Sequence, residues 1–139
     1  MAVFVFLNPT ILVNAVDMSA MIKKATLEIN AEEKETTAFS TNTTPFRTRL
    51  GGLRDWSVDL DFNQDFAASQ VDATLFPILG TAVSFELRSQ AGAGSTTNPA
   101  YRSTGVLIST YQVADGAVGD VAHSAVKWPG AAPIYRQTT

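Results

Sequence analysis

The chain contains no cysteine in 139 residues. That excludes a disulfide framework and a thiolate metal site. Histidine occurs once, at His123, so a histidine pair for metal binding or proton relay is excluded too. Charge is sparse, at 17% of residues, which is low for a soluble monomer. The net charge is −3. A strongly basic binder of nucleic-acid backbones would need clustered lysine and arginine, so this balance argues against one. No apolar run reaches the ~20 residues that span a bilayer. The run Val3-Phe4-Val5-Phe6-Leu7 is short, has no basic flank before it and is closed by Asn8-Pro9. It reads as a strand rather than a signal peptide.

What the chain has is 45% hydrophobic residues, enough for a core, and a length that fits one domain spanning 1–139. Its clearest pattern is two strands of strict alternation. Lys24 to Glu32 is apolar at odd positions and polar at even ones. Trp56 to Asn63 sets Trp56, Val58, Leu60 and Phe62 on one face. Alternation of period two predicts one buried face and one wet face. The wet face carries Lys24, Thr26, Glu28, Asn30, Ser57, Asp59, Asp61 and Asn63, with no large apolar side chain. Residues 33–50 between the strands form a long polar loop, closed by Gly51-Gly52. Long loops in small domains are usually functional, disordered or both. Phe39, Pro45, Phe46, Arg47, Arg49 and Leu50 lie within it, and two phenylalanines suit a loop that docks on a partner.

Further strands are expected at 11–13, 81–88, 104–111, 118–128 and 134–136. In 81–88, Val83, Phe85 and Leu87 face inward. Residues 69–79 read as the one helix. Ser69 is its N-cap, Asp72 completes a short capping box, and Val71, Leu75, Phe76 and Leu79 form its apolar face. Gly80 is its stop, and Pro77 distorts its last turn. Residues 89–99 form a second loop. The expected fold is all-β: a β-sandwich or partial barrel with one flanking helix. Its several strand edges invite pairing with another chain.

Motifs of catalysis are missing. His123 lies in a predicted strand and reads as a surface or edge histidine. Asp59 and Asp61 at i, i+2 read as a solvated acidic face rather than a cation site. No G-x-S-x-G and no phosphate-binding glycine loop is present. Arg47, Arg49 and Arg54 are expected to pair with carboxylates of this chain or of a neighbouring copy. Trp56 and Trp128 are core residues. We expect no enzyme, no catalytic residue, no metal and no cofactor.

Several segments together resemble a known family. They are Val13-Asn14-Ala15-Val16-Asp17-Met18-Ser19, the first alternating strand and long loop, Gly51-Gly52-Leu53-Arg54-Asp55-Trp56-Ser57, Phe62-Asn63-Gln64-Asp65-Phe66, and Val71 to Gly80. The chain resembles a tail tube protein (major tail protein) of long-tailed, non-contractile bacteriophages and prophages. The resemblance implies stacked hexameric rings whose strands complete a ring-wide inner β-barrel. It implies a lumen that passes a tape-measure protein during assembly and DNA during ejection. It also implies tail terminator and distal tail proteins as partners, a place in the virion, assembly in the host cytoplasm, and no membrane. The polar face of Lys24 to Asn30 and Ser57 to Asn63 then becomes the candidate lumen wall, and the 33–50 loop the candidate inter-subunit contact. An acidic wall of Glu28, Asp59 and Asp61 would repel DNA phosphates; parity sets Lys24, but not Lys23, beside them. Two other readings stay open: a monomeric ligand- or carbohydrate-binding sandwich using Tyr101, Tyr111 and Tyr135, and a small hydrolase using Asp59, Asp61 and His123.

Overall fold

The computed structural model describes residues 3–38 and 46–138. Two antiparallel sheets face each other. The first has five strands: β1 (Thr10–Val13), β2 (Val16–Asp17), β5 (Ala82–Arg88), β6 (Ala100–Leu107) and β8 (Ile134–Gln137), in the order β2-β1-β5-β6-β8. The second has three: β3 (Ile22–Glu35), β4 (Arg49–Asn63) and β7 (His123–Pro129), with β4 in the middle. One helix, α1 (Val71–Leu75), follows β4. The all-β expectation, with one flanking helix, holds.

Alternation places the core. Val83, Phe85 and Leu87 of β5 and Ile11 and Val13 of β1 are buried from one side. Trp56, Val58, Leu60 and Phe62 of β4 with Val126 and Trp128 of β7 are buried from the other. The Trp56 and Phe85 rings meet across the gap at 5.9 Å. Each such side chain contributes roughly 1.5–3 kcal/mol on burial. Val71 and Leu75 of α1 close one end of the core.

Several sequence expectations change. Residues 3–7 join no sheet. Phe4 and Phe6 are half-exposed, and Val3, Val5 and Leu7 are more exposed still. A β-prone run becomes a strand only when an edge accepts its backbone, and no edge of this chain does. The 33–50 loop is shorter than expected. β3 and β4 pair as far as Glu35 and Arg49, and Thr36 N donates to Thr48 O at 2.8 Å. The result is a hairpin arm that extends from the core beyond Trp56, with Gly51-Gly52 inside β4 rather than closing a loop. Phe39 and Pro45 lie outside the described residues.

The helix is α over only five residues and tightens to a 3-10 turn over Phe76–Ile78, where Pro77 removes a donor. Ser69 is not its N-cap. Ser69 sits at φ 64°, Gln70 is the cap, and no side chain bonds there. Phe76 and Leu79 are exposed, so the apolar stripe is confined to Val71 and Leu75. Gly80 does stop the helix, at φ 86°. The strand expected at 104–111 runs instead over 100–107, because Ala100 to Ser103 pair with Arg88 to Phe85. The strand expected at 118–128 begins only at His123, because Val118 and Val121 are exposed and unpaired in the ladder.

Candidate assembly surfaces

The second sheet turns one face to the core and one outward. Register brings the sequence-predicted polar residues into a single patch. Lys24 lies opposite Asp61, Thr26 opposite Asp59 and Glu28 opposite Ser57. On the other flank, Asp59 lies opposite Lys127, Asp61 opposite Ala125 and Asn63 opposite His123. Lys24, Thr26, Glu28, Asn30, Asp59 and Asn63 are exposed; Ser57 and Asp61 are half-buried. Opposite charges set directly across antiparallel strands attract, and the patch has two such pairs: Lys24 with Asp61, and Asp59 with Lys127.

The patch is therefore mixed in sign rather than acidic. Two cations join it against the parity expectation or outside it: Lys23, which parity sets off this face, and Lys127, which the sequence pattern does not place there. Lys127 arrives from β7, far along the chain, so only tertiary pairing reveals it. Lys23 arrives through a β-bulge. The register shifts between Ile22 and Lys24, freeing Lys23 from strict alternation. Its Nζ lies 3.8 Å from Asp61 Oδ2. Lys23, Lys24 and Lys127 thus stand against Glu28, Asp59 and Asp61.

The arm carries the remaining candidates. Phe46, Arg47, Arg49 and Leu50 are exposed along it, Phe46 at 74%. As expected for these arginines, Arg47 meets Glu35 at 3.5 Å and Arg49 meets Glu33 at 4.0 Å, both within this chain. Such exposed pairs are worth about 0–1 kcal/mol each, and they set the arm's register more than its stability. Below the arm, a groove of about 690 Å³ runs between its base and β8, lined by Ile29, Arg54, Tyr101, Tyr135 and Arg136 over Trp56. It gathers two of the three tyrosines. The third, Tyr111, sits elsewhere.

Tyr111 ties the segment after β6 to α1. Its hydroxyl donates to Asp72 Oδ1 at 2.6 Å and accepts from Gln64 Nε2 at 2.8 Å. Gln64 Nε2 also donates to the Val113 carbonyl. Burial, and then the Asp72 carboxylate that holds its proton, raise the Tyr111 phenol above its ordinary value of 10.0. A raised folded value means the folded state keeps its proton when the unfolded chain loses it. The contribution is complete below about pH 10 and fades as pH rises through the folded value. Tyr111→Phe should remove this share of the alkaline loss, read as a smaller fall in melting temperature between pH 9 and 11 than in the parent. An equal fall in both proteins would refute the role.

His123 is half-buried, with Nε2 3.3 Å from Asp115 Oδ2. It lies beside Asn63 at the edge of the polar patch, with Asp59 and Asp61 matched to lysines instead. The three hydrolase candidates thus share a face, while each has a structural partner of its own.

A two-sheet antiparallel sandwich with a protruding hairpin and one short helix is the class of fold these elements define. Chains of two solved particles share it. A chain of the virion of the native gene transfer agent (GTA) particle superposes with a TM-score of 0.74 at 16% identity, over 94% of this chain and 96% of that one. A chain of the tail of the empty GTA particle, a tail of C6 symmetry, gives 0.60 at 13% identity, over 85% and 83%. At these identities the likeness is one of fold. No family model and no curated protein matches the sequence.

Proposed function

We propose that this chain is a structural protein of a phage-like tail, self-assembling into stacked hexameric rings that form the tail tube. The observation that carries the reading is the second sheet. Its outer face is mostly polar, and the hairpin it feeds stands clear of the core. A monomer has little use for such an arm, whereas a ring subunit uses it to reach a neighbour. Closing strands around a ring also removes exposed edges, which otherwise invite aggregation. The fold shared with GTA virion and tail chains supports the same reading.

In the tube, Lys24, Thr26, Glu28, Asn30, Ser57, Asp59, Asp61 and Asn63 line the lumen. Their charges nearly cancel with Lys23 and Lys127. A wall of near-zero net charge gives phosphates no continuous cationic track, so few counterions are released and DNA passes without being gripped. The role is mechanical, not catalytic. The partners are further copies, a tape-measure protein, tail terminator and distal tail proteins, and DNA in transit. The location is the virion, after assembly in the host cytoplasm.

Negative-stain microscopy of the purified protein, at rising concentration, should show rings and then tubes with a stain-filled bore. Strictly monomeric particles at every concentration, and in the native particle, would reject the reading. The alternative of a monomeric ligand- or carbohydrate-binding module has the Tyr101–Tyr135 groove in its favour. Glycan binding by a monomer, lost in Tyr135→Ala, would select it instead.

A further inference from the structure

β7 forms one edge of the second sheet, and four of its outward backbone groups are already engaged. His123 exchanges both backbone bonds with Asp115, at 3.0 and 2.8 Å. Continuing that ladder would pair Val113 with Ala125 and Tyr111 with Lys127. It does not continue. Instead Ala125 N donates to Gln112 Oε1 at 2.9 Å, and Thr110 Oγ1 donates to the Lys127 carbonyl at 3.4 Å. Two side chains stand where a strand's backbone would. The ladder stops for a reason of parity. An in-register strand would turn Tyr111 and Val113 onto the polar face and break the Tyr111–Asp72 bond.

We propose that the outer edge of β7 is where β3 of a second copy adds, and that residues 112–115, with the Thr110 side chain, guard this edge in the free subunit and release it when the copy arrives. The inference rests on the tube reading. β3 is the opposite edge of the same sheet. Both strands run antiparallel to β4, so they point the same way. Rotation about a ring axis preserves that direction and makes the junction parallel.

The faces agree with this. On β7 the outward backbone groups belong to His123, Ala125 and Lys127, whose side chains lie on the polar face. The ladder alternates across β4, so on β3 they belong to Ala25, Leu27 and Ile29, on the core face. A parallel pair sets each bonded residue opposite a non-bonded one, so polar face meets polar face. An antiparallel junction would set Lys127 against a core-facing residue. Charge fits as well. Lys127 is the cation of β7's polar face and Glu28 the carboxylate of β3's, so a register opposing them joins unlike charges.

The guard is also built to move. Gly116 and Gly119 follow it at φ 148° and 95°. Val113, Val118 and Val121 around them are 55%, 107% and 70% exposed, apolar surface that another subunit would cover.

The test uses the absence of native cysteine. Asp115→Cys with His123→Cys replaces a directly paired couple, whose Cα spacing of about 5.5 Å suits a disulfide. Oxidised, this variant should stay folded by circular dichroism and form no rings; a reductant should restore assembly. In a separate variant, Gln112→Ala with Thr110→Val should lower the concentration needed for assembly by roughly tenfold, the effect of deleting two modest hydrogen bonds. Rings formed by the oxidised variant with its disulfide intact would overturn the guard. So would an unchanged assembly threshold in the uncapped variant. A wild type that never forms rings overturns the tube reading itself, and this inference with it.

Discussion

Gly130→Ala should be among the most damaging single substitutions in this chain. A Cβ at Gly130 would lie 2.6 Å from Trp56 Cδ1 and closer still to Nε1 and Cε2. The indole is held in place by its contacts. It is 5% exposed, packed on Phe85, and its Nε1 donates to the Ala132 carbonyl at 2.7 Å. The backbone is pinned as well: Gly130 N donates to Trp56 O at 2.8 Å, and Ala131 N to Gly105 O at 2.9 Å. Overpacking a core costs about 1–3 kcal/mol. Expelling the indole approaches the ~3–5 kcal/mol of a buried tryptophan truncation. A domain of this size has about 5–15 kcal/mol in all. The urea midpoint should fall accordingly, and Trp56→Phe should recover part of the loss when combined with Gly130→Ala, since the two residues share one contact. A midpoint shift equivalent to less than about 0.5 kcal/mol would show that the indole is not clamped.

The second large effect should appear in assembly and not in stability. Replacing residues 34–50 by Asn-Gly joins Glu33 to Gly51, which face each other in the ladder, through a two-residue turn. Every described residue removed is exposed. No buried apolar surface is lost, so the unfolding free energy should change by less than about 0.5 kcal/mol. If the arm reaches the next subunit, as the proposed tube requires, tubes should disappear entirely. Sedimentation and microscopy read both halves of the expectation. Normal tubes from the armless chain would remove the arm from the assembly mechanism. Loss of folding would show instead that it supports the core.

Both expectations follow from one arrangement: Trp56 is the first core residue of β4 as the strand comes into the body from the arm. The glycine at 130 lets β4 and the turn after β7 approach closely at that point. The base of the arm is thereby rigid while its length is free of the core. This is the geometry expected of a lever on a fixed mount, and it separates the effect expected on stability from the effect expected on assembly.

Local pattern made much of this legible. The two-residue period of 56–62 and 83–87 names the buried faces of β4 and β5 correctly, because side-chain direction in a strand depends only on neighbouring residues; in 24–32 it holds only for Ala25 and Leu27, half-buried against the core, while Ile29 and Ala31 of the same face are exposed where β3 enters the arm. Trp56 and Trp128 were placed in the core on the same ground. The polar patch was assembled in advance from β3 and β4 alone, since a hairpin brings sequence neighbours together. Arg47 and Arg49 found carboxylates across the arm for the same reason.

Pairing decided the rest, and pairing is not local. Residues 3–7 have a strand's composition and no edge to join. Residues 33–35 and 49–50 have a loop's composition and continue a ladder, because each extends a strand already paired. Lys23 crosses to Asp61 through a bulge that alternation cannot encode. Lys127 enters the patch only because β7 lies beside β4. The guard over β7 depends on a tyrosine held by a distant helix. Sequence alone thus determined which faces are dry and which are wet, since that requires only the chirality and period of the chain. The tertiary structure alone decided which strands are neighbours, what charge the polar face carries and which edges are open, since those depend on contacts between segments far apart in the chain.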